Sequence, residues 1–431
     1  MSAAPRRHDP AGYALEELAP AAQRILAGAR RVLERDGYEG LTLSRIAAEA
    51  GETKSLIVYH FGGKDGLIAA LVDSLWHEED LDLVRRLEDL PDSPADRVHT
   101  LIDVHHSLAL MAPEFRMYFD LLPNLLRDTR ARRSHAELNQ TYRSLGVMAL
   151  RGTRLEPGEQ LALASLLLAV DEGFGALLQL DPDGFDHDAA FSELQTITAR
   201  RTGERAGEAA ADEASGGDPA RVTADPAGAG AIRATLSDPT ADLPPVARRL
   251  VQGAARLVAR DGLAGLTFES VAEASGEPRT ATTYYFGDKH SLVVAVHDTL
   301  LARAQKLAAS RLRGDARRGT GHPLVGMPQR VPETLRTYRT LFQMMPAIMR
   351  DEELRARHVA YLAWLRDALA IATAACGLWA GPALIDLTLA VSYGMPIQLL
   401  LDRRGLDPAP LVAMWASLLG APAPRLRSPR P

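Results

Sequence analysis

Apolar residues recur at intervals of three and four along most of the chain, and this periodicity predicts helices almost throughout. Ile25, Ala29, Val32 and Leu33 follow one face of a first helix. No segment shows the sustained apolar–polar alternation, rich in β-branched residues, that is typical of strands. We therefore expect an all-α protein.

Breaks in the periodicity divide the start of the chain into short helices. Gly37 can form the left-handed C-cap of the first helix, and Thr42 is a good N-cap for a second helix over about residues 43–50. Gly51 permits a sharp turn before a third helix over about residues 53–61. Two short helices joined by a tight, glycine-containing turn predict a helix-turn-helix.

The same block occurs twice in the chain. Shifting the sequence by 225 residues places residues 21–76 on 246–301 without a gap, and about 22 of the 56 aligned pairs are identical. A weaker match of residues 115–128 with 338–351 extends the repeat to a whole domain. We call residues 21–197 the first copy and residues 246–420 the second copy.

Each copy is expected to divide into a helix-turn-helix domain and a helical bundle. The boundaries are 21–66 and 67–197 in the first copy, and 246–291 and 292–420 in the second. Residues 198–245 are rich in Ala, Gly, Asp and Pro, and predict a flexible linker, with a short helix possible over 206–214. Residues 1–20 form an N-terminal arm without the apolar segment of a secretory signal, and 421–431 a disordered tail.

Composition narrows the class of protein. The 431 residues carry a net charge of −6, so nucleic-acid binding must depend on a local surface. Cys376 is the single cysteine, which excludes a disulfide within the chain and a cysteine-rich zinc site. The longest uncharged run, residues 368–385, is broken by glycine and proline and predicts a buried helix plus a turn. We expect a cytoplasmic protein that makes no membrane contact.

The third helix of the first copy carries the side chains best suited to DNA. Thr53, Lys54, Ser55 and Tyr59 are expected to face outward, where they can reach base edges and phosphates in a major groove. Two apolar residues of the same helix are expected to anchor it to the core: Leu56 and Phe61.

The sequences LTLSRIAAEAG…SLIVYHFGGKDGL and LTFESVAEASG…TATTYYFGDKHSL resemble the N-terminal DNA-binding domain of the TetR family of bacterial transcriptional regulators. The resemblance covers about 50 residues in each copy. It implies two tandem units, each with a helix-turn-helix domain followed by a helical domain that binds ligands and dimerises. It also implies a ligand-responsive regulator of operator DNA, with repression as the family's commoner mode.

The resemblance implies DNA-contacting roles for matched positions in both copies. In the first copy these are Thr42, Thr53, Lys54, Ser55, Tyr59, His60 and Lys64; in the second they are Thr267, Arg279, Thr280, Tyr284, Tyr285 and Lys289. Val58 and Thr283 replace an aromatic residue that the family usually has before the tyrosine, which removes a customary DNA contact.

The chain contains two helix-turn-helix domains, residues 21–66 (the first head) and 246–291 (the second head). They predict an intrachain pseudo-dimer, with residues 159–180 packed against 382–402. Because Lys54-Ser55 differs from Arg279-Thr280, we expect an operator with unlike half-sites. The alternative is a dimer of chains with four heads.

Aromatic and methionine residues at helical spacing are candidates for lining a ligand pocket in each bundle. The second copy is richer in them and is the favoured sensor, for an apolar or aromatic effector. His105 and His106 suggest a metal site, but they are adjacent and point about 100° apart on a helix, so no metal binding is expected. The candidates are His105, His106, Met111, Phe115, Tyr118 and Phe119 in the first copy, and Tyr338, Phe342, Met344, Met345, Met349, Tyr361, Trp364 and Trp379 in the second.

Two rival functions remain open. An enzyme lacks support, because the sequence contains no phosphate-binding loop, nucleophile motif or metal set, and Asp171-Glu172 is more simply a polar pair at an interface or pocket. No cofactor is expected. An adaptor in which a head no longer binds DNA is the second rival, and the threonine-rich third helix of the second copy favours it.

Overall fold

The computed structural model describes residues 18–75, 91–203, 230–233, 240–318, 323–326, 331–378, 380–402 and 406–421. Every regular element within these ranges is a helix, which confirms the all-α prediction. The chain opens with four helices: α1 Pro20–Gly40, α2 Leu43–Ala50, α3 Lys54–Phe61 and α4 Lys64–Leu75.

Local sequence explains how α2 and α3 begin and how the chain turns between them. Thr42 caps α2 by accepting a hydrogen bond from the Arg45 backbone N–H, and Thr53 caps α3 in the same way. Gly51, between them, has a φ of 67°, a left-handed conformation that glycine adopts without strain. These features place α3 across α2 as a helix-turn-helix.

The bundle of the first copy continues from these helices. Its helices are α5 Pro94–Ala109, α6 Ala112–Leu125, α7 Thr129–Ala149, α8 Pro157–Leu180 and α9 His187–Thr202. Helix α8 is buried on nearly every side from Ala162 to Leu177 and forms the centre of this bundle.

The second copy follows the same order at its start. A long helix, a 3₁₀ turn at Leu263–Gly265 and two short helices again lead into a bundle. Its helices are α10 Pro245–Asp261, α11 Phe268–Ser275, α12 Arg279–Phe286, α13 Lys289–Arg318, α14 Pro323–Gly326, α15 Val331–Arg350, α16 Glu352–Ala375, α17 Pro382–Leu401 and α18 Pro408–Leu418.

Helices α8 and α17 form the most extensive helix–helix contact among the described residues. Glycines let their backbones meet: a Cβ at Gly173 would clash with the Ala390 carbonyl, and one at Gly394 with the Ala169 carbonyl. Both helices are long and apolar enough to cross a membrane by length and composition. Most of each is buried inside the fold, as in a core helix.

Two ion pairs flank this crossing at opposite ends. Arg143 Nη2 lies 2.6 Å from Asp402 Oδ2, and Arg366 Nη1 lies 2.6 Å from Asp181 Oδ2. In each pair the arginine comes from one copy and the aspartate from the other. Since buried guanidinium–carboxylate pairs demand a fixed geometry, they favour one register of α8 on α17.

The predicted linker is shorter than its composition suggested. Helix α9 runs to Thr202 with Thr198 fully buried, so residues 198–202 belong to the bundle, and the boundary predicted at residue 198 is corrected. Ile232 is also buried, and its carbonyl accepts a hydrogen bond from Arg313 at 2.7 Å. The short helix considered over 206–214 lies outside the described residues.

Candidate nucleic-acid interface and ligand cavities

The outer face of α3 is open to solvent. Thr53, Lys54 and Ser55 are exposed, and the Tyr59 side chain is 78% exposed. Thr42 is also exposed at the start of α2, while His60 is half-buried with its ring edge-on to that of Tyr59. Apart from Lys64, the predicted contact residues of the first copy thus lie on the accessible surface of the first head.

The inner face of α3 corrects the predicted anchors. Phe61 is buried as expected, but Leu56 is only half-buried. The fully buried anchor is Ile57. A short helix has one inward face, and the periodicity of eight residues is too brief to choose between neighbouring apolar positions.

The corresponding surface of the second head is formed mainly by α12. Thr267, Arg279, Thr280 and Lys289 are exposed, Tyr285 is half-buried, and the Tyr284 side chain is 81% exposed. Tyr284 and Tyr285 meet edge-on with their ring centroids 5.0 Å apart, as Tyr59 and His60 do.

The support beneath α12 differs from that beneath α3. Thr282 takes the place of Ile57 and is fully buried, with a hydroxyl that has no hydrogen-bond partner. Pro278 stands at the N-cap, where it provides no side-chain cap. Phe286, the counterpart of the buried Phe61, is only half-buried. Because an unpaired buried hydroxyl is unfavourable, this helix is held less firmly than α3.

The two lysines predicted to meet phosphates are held by the protein itself. Lys64 Nζ lies 4.6 Å from the centre of the Tyr38 ring, and burial lowers the pKa of Lys64. Lys289 Nζ donates to the Leu263 carbonyl at 3.1 Å. The Lys64 ammonium group therefore lies against the last turn of α1, and that of Lys289 lies against the 3₁₀ turn that follows α10.

Matched ion pairs brace each head. Arg24 lies 2.7 Å from Glu52 in the first, and Arg249 lies 2.5 Å from Glu277 in the second. Each pair ties the long first helix to the turn before the third helix. These pairs are partly exposed, so they orient the turn more than they stabilise it.

A cavity of about 60 Å³ lies in the first bundle. Phe115, Tyr118 and Tyr142 contribute aromatic walls, and Asp171 and Glu172 contribute carboxylates. Gln398 of the second copy also reaches this cavity, where the Asn139 side chain donates to its Oε1 at 3.2 Å. The cavity is therefore completed across the contact between the copies.

Buried polar groups surround this cavity. His105 Nδ1 lies 2.5 Å from Asp171 Oδ2, and the Tyr118 hydroxyl donates to Glu172 Oε1 at 2.8 Å. Burial raises the pKa of both carboxyls, while the neighbouring histidines oppose that shift. Glu172 Oε2 and His135 Nδ1 are buried without a hydrogen-bond partner. Such orphaned atoms are suited to a bound molecule.

A second cavity, of about 40 Å³, lies in the other bundle and includes Tyr338 and Tyr361 among its lining residues. Beside it, His358 Nε2 and the Tyr393 hydroxyl share a hydrogen bond of 2.7 Å, and His297 Nε2 lies 3.3 Å from His358 Nδ1. Burial lowers the pKa of His297 to about 4 and that of His358 well below its ordinary value. Both rings are therefore neutral at neutral pH.

The other predicted pocket residues lie elsewhere. Phe119, Phe342, Met344, Met345 and Met349 are buried in the hydrophobic core without lining either cavity. Met111 packs half-buried at the edge of that core, and Trp364 Nε1 donates to the Arg233 carbonyl. Trp379 lies outside the described residues. Sequence reasoning missed Gln398 and Asn139, because only the tertiary fold brings them to the cavity.

A further cavity, of about 220 Å³, lies where both heads meet both bundles. Arg350 of the second copy pairs with Asp120 of the first and packs against Gly37. Arg127 of the first copy donates to the Asp261 carbonyl beside Gly262. Each bundle thus contacts the head of the opposite copy.

Comparison with known proteins finds relatives of the first head. The sequence profile of the bacterial regulatory proteins of the tetR family matches residues 25–71. The HTH-type transcriptional repressor AcnR of Corynebacterium glutamicum is 45% identical over 49 residues, which are 11% of this chain and 26% of AcnR. The HTH-type transcriptional regulator BetI of Brucella canis is 33% identical over 99 residues, 23% of this chain and 50% of BetI.

A second BetI, from Vibrio vulnificus, is 28% identical over 83 residues, 19% of this chain and 42% of that regulator. The chain thus spans between about a quarter and half of the length of these curated relatives. A crystal structure from Pseudomonas aeruginosa PAO1 is 22% identical, with a TM-score of 0.36, and covers 44% of this chain and 98% of its own. The relatives are named as transcriptional regulators, in agreement with the prediction that this chain is no enzyme. Residues 25–71 of the chain are therefore similar to the bacterial regulatory proteins of the tetR family.

Proposed function

We propose that this chain is a ligand-responsive, DNA-binding transcriptional regulator built from two TetR-like units and working in the cytoplasm as a repressor. The observation that carries the proposal is the exposed face of α3, with Lys54, Ser55 and Tyr59 open to solvent on a helix held by a buried isoleucine. The equivalent face of α12 presents Arg279, Thr280 and Tyr284. Both faces have the size and chemistry that a major groove accepts.

The two units act together as an intrachain pseudo-dimer. Support comes from the contact of α8 with α17, where Gly173 and Gly394 each face a backbone carbonyl of the opposite helix. The reciprocal pairs Arg143–Asp402 and Arg366–Asp181 support it further. A tethered second head replaces concentration-dependent dimerisation by a high effective concentration. The operator then has unlike half-sites.

The cavity of the first copy is the proposed effector site. Its aromatic walls and the orphaned Glu172 Oε2 favour a small aromatic molecule that carries a hydrogen-bond donor or a positive charge. At about 60 Å³ the cavity holds only a few water molecules, so an effector must enlarge it. Enlargement displaces Gln398 and with it α17, which changes how the two heads are spaced. A coupling of about 1–3 kcal/mol lowers operator affinity roughly 5–150-fold.

Footprinting on the DNA that flanks the protein's own gene tests the proposal. The proteins are the intact chain, a Lys54→Ala/Ser55→Ala/Tyr59→Ala variant and an Arg279→Ala/Thr280→Ala/Tyr284→Ala variant. We expect each variant to lose protection over a different half of one asymmetric site. Loss of neither half by either variant rules out the assigned reading faces. A Glu34→Ala variant, changed at an exposed position outside both reading faces, is the control.

A second candidate function is specifically favoured by α12. The orphaned Thr282 hydroxyl and the uncapped start of this helix weaken its hold on the core. In this alternative the second head serves as a sensor or interaction module, and the first head alone reads DNA in a dimer of chains. The second triple variant then footprints like the intact chain, and the complex contains two chains.

A further inference from the structure

Two histidines and an aspartate meet where α5 packs against the start of α9, outside both the heads and the cavities. His106 comes from α5, while His187 and Asp188 are the first two residues of α9. The His106 ring stacks on that of His187, with centroids 4.8 Å apart, and on that of Phe191 at 3.9 Å. These contacts hold the two imidazole rings next to each other.

One carboxylate oxygen lies close to a nitrogen atom of each ring. Asp188 Oδ1 lies 3.2 Å from His187 Nδ1 and 3.8 Å from His106 Nε2. Ligand atoms on a tetrahedral zinc ion lie about 3.4 Å apart, since each zinc–nitrogen or zinc–oxygen bond is about 2.1 Å. The potential ligand atoms of all three residues fall within 4.8 Å of one another, a separation that small side-chain adjustments can close.

The unpaired atoms of this group suit a cation. His106 Nε2 is buried without a hydrogen-bond partner, although an acceptor lies 3.8 Å away, too far for a hydrogen bond. His187 is buried, and its Nε2 is likewise buried without a hydrogen-bond partner. Asp188 is exposed, so the fourth position of an ion is open to water.

We propose that His106, His187 and Asp188 form a binding site for a divalent transition-metal ion of the zinc type. The adjacent His105 pairs with Asp171 at the first cavity, so His105 and His106 serve different sites from one turn of α5. The bound ion clamps α5 to the start of α9 beside the proposed effector cavity. This inference does not depend on DNA binding.

Isothermal titration of the untagged full-length chain with Zn²⁺ at pH 7 tests the site. We expect one ion per chain. His106→Gln, His187→Gln and Asp188→Asn should each weaken binding at least tenfold, since even residues that only orient metal ligands cost roughly 10–100-fold. Asp188 is exposed, so its variant keeps the fold even if a histidine variant does not.

His99→Gln is the matched control, because His99 is exposed on the same helix and pairs with Asp103 instead. Its affinity for Zn²⁺ should equal that of the unaltered chain. The proposal is overturned if the chain shows no binding below about 1 mM, a concentration typical of weak contacts. It is equally overturned if Asp188→Asn binds as tightly as the control.

Discussion

The two heads present similar outer faces on different supports. Tyr59 and Tyr284 are exposed almost equally, and each meets the next aromatic ring edge-on at the same centroid distance. Beneath them, Ile57 fills the core of the first head, while Thr282 brings an unpaired hydroxyl into the core of the second. A repeated sequence can thus keep its surface chemistry while the stability beneath that surface diverges.

The two bundles differ in a comparable way. The cavity of the first is surrounded by carboxylates paired with histidines, whereas the second places neutral histidines beside tyrosine hydroxyls. Glu172 and Tyr393 occupy matching places beside the Gly173 and Gly394 crossing. The first bundle therefore offers charge to a ligand, and the second offers hydrogen-bonding groups without charge.

The contact that joins the copies should be the most sensitive to a single methyl group. In Gly394→Ala, the new Cβ meets the Ala169 carbonyl oxygen of α8, which has no space to move. We expect the free energy of unfolding to fall by about 3 kcal/mol or more, the upper range for overpacked cores. Denaturant unfolding followed by circular dichroism measures this. Gly158→Ala, which adds its Cβ in open space, should change stability little; equal effects would contradict the close contact.

Acid should destabilise the second bundle through His297. The folded pKa of about 4 lies below the ordinary 6.5, so between these values the unfolded chain binds the proton that the folded chain excludes. Stability is complete above pH 6.5 and falls with decreasing pH by up to about 1.4 kcal/mol per pH unit. The pKa of His358 is also lowered by burial and by His297, so His358 acts in the same direction and its contribution is coupled to that of His297.

The test is to measure the free energy of unfolding of His297→Gln and of the unaltered chain at pH 7 and at pH 5. Asp171 and Glu172, whose raised pKa values change stability in the opposite direction, are present in both proteins, so the difference between the proteins reports on His297. The variant should lose less stability between these two pH values than the unaltered chain does. A stability difference independent of pH would show that His297 is not held neutral.

Placing the buried threonine of the second head at the matching position of the first head should make the first head less stable. Ile57→Thr brings an unpaired hydroxyl into the core of the first head and removes packed carbon, and should cost about 2 kcal/mol. Val58→Thr on the neighbouring, largely exposed position should change the stability by less than about 0.5 kcal/mol. Thermal unfolding measures both, and a similar loss in the two variants would place the wrong residue in the core.

The reverse change should have the smallest effect. Thr282→Val replaces the unpaired hydroxyl with a methyl group of similar size and should stabilise the second head by about 1 kcal/mol. Hydrogen exchange of the α12 amides reports this local gain. Thr283→Val, changed on the exposed face of the same helix, is the control and should leave protection unaltered.

Short-range sequence patterns predicted the helical class and the positions of α2 and α3 closely. Caps such as Thr42 and turns such as Gly51 act within a few residues, so their effects can be read locally. The choice of Ile57 over Leu56 as the anchor could not be read, because it depends on where α3 rests on the core.

Site residues could be predicted only where all the residues of a site lie on one helix. The exposed tyrosines of the heads belong to this group, although their contacts with DNA stay a prediction. Gln398 at the first cavity and His187 beside His106 come from distant segments, and no pattern within either segment indicates the partner. Helical spacing also favoured Met345 as a pocket residue, whereas the structure places it in the core.

The central claim is that one chain carries two working heads, and the mass of its complex with operator DNA tests it most directly. Sedimentation of the chain with a duplex containing the footprinted site, at protein concentrations above saturation, yields the number of chains bound. We predict that the free protein is a single chain of 46.6 kDa and that one such chain binds each duplex. Two chains per duplex would contradict the intrachain pseudo-dimer and would assign DNA reading to pairs of chains.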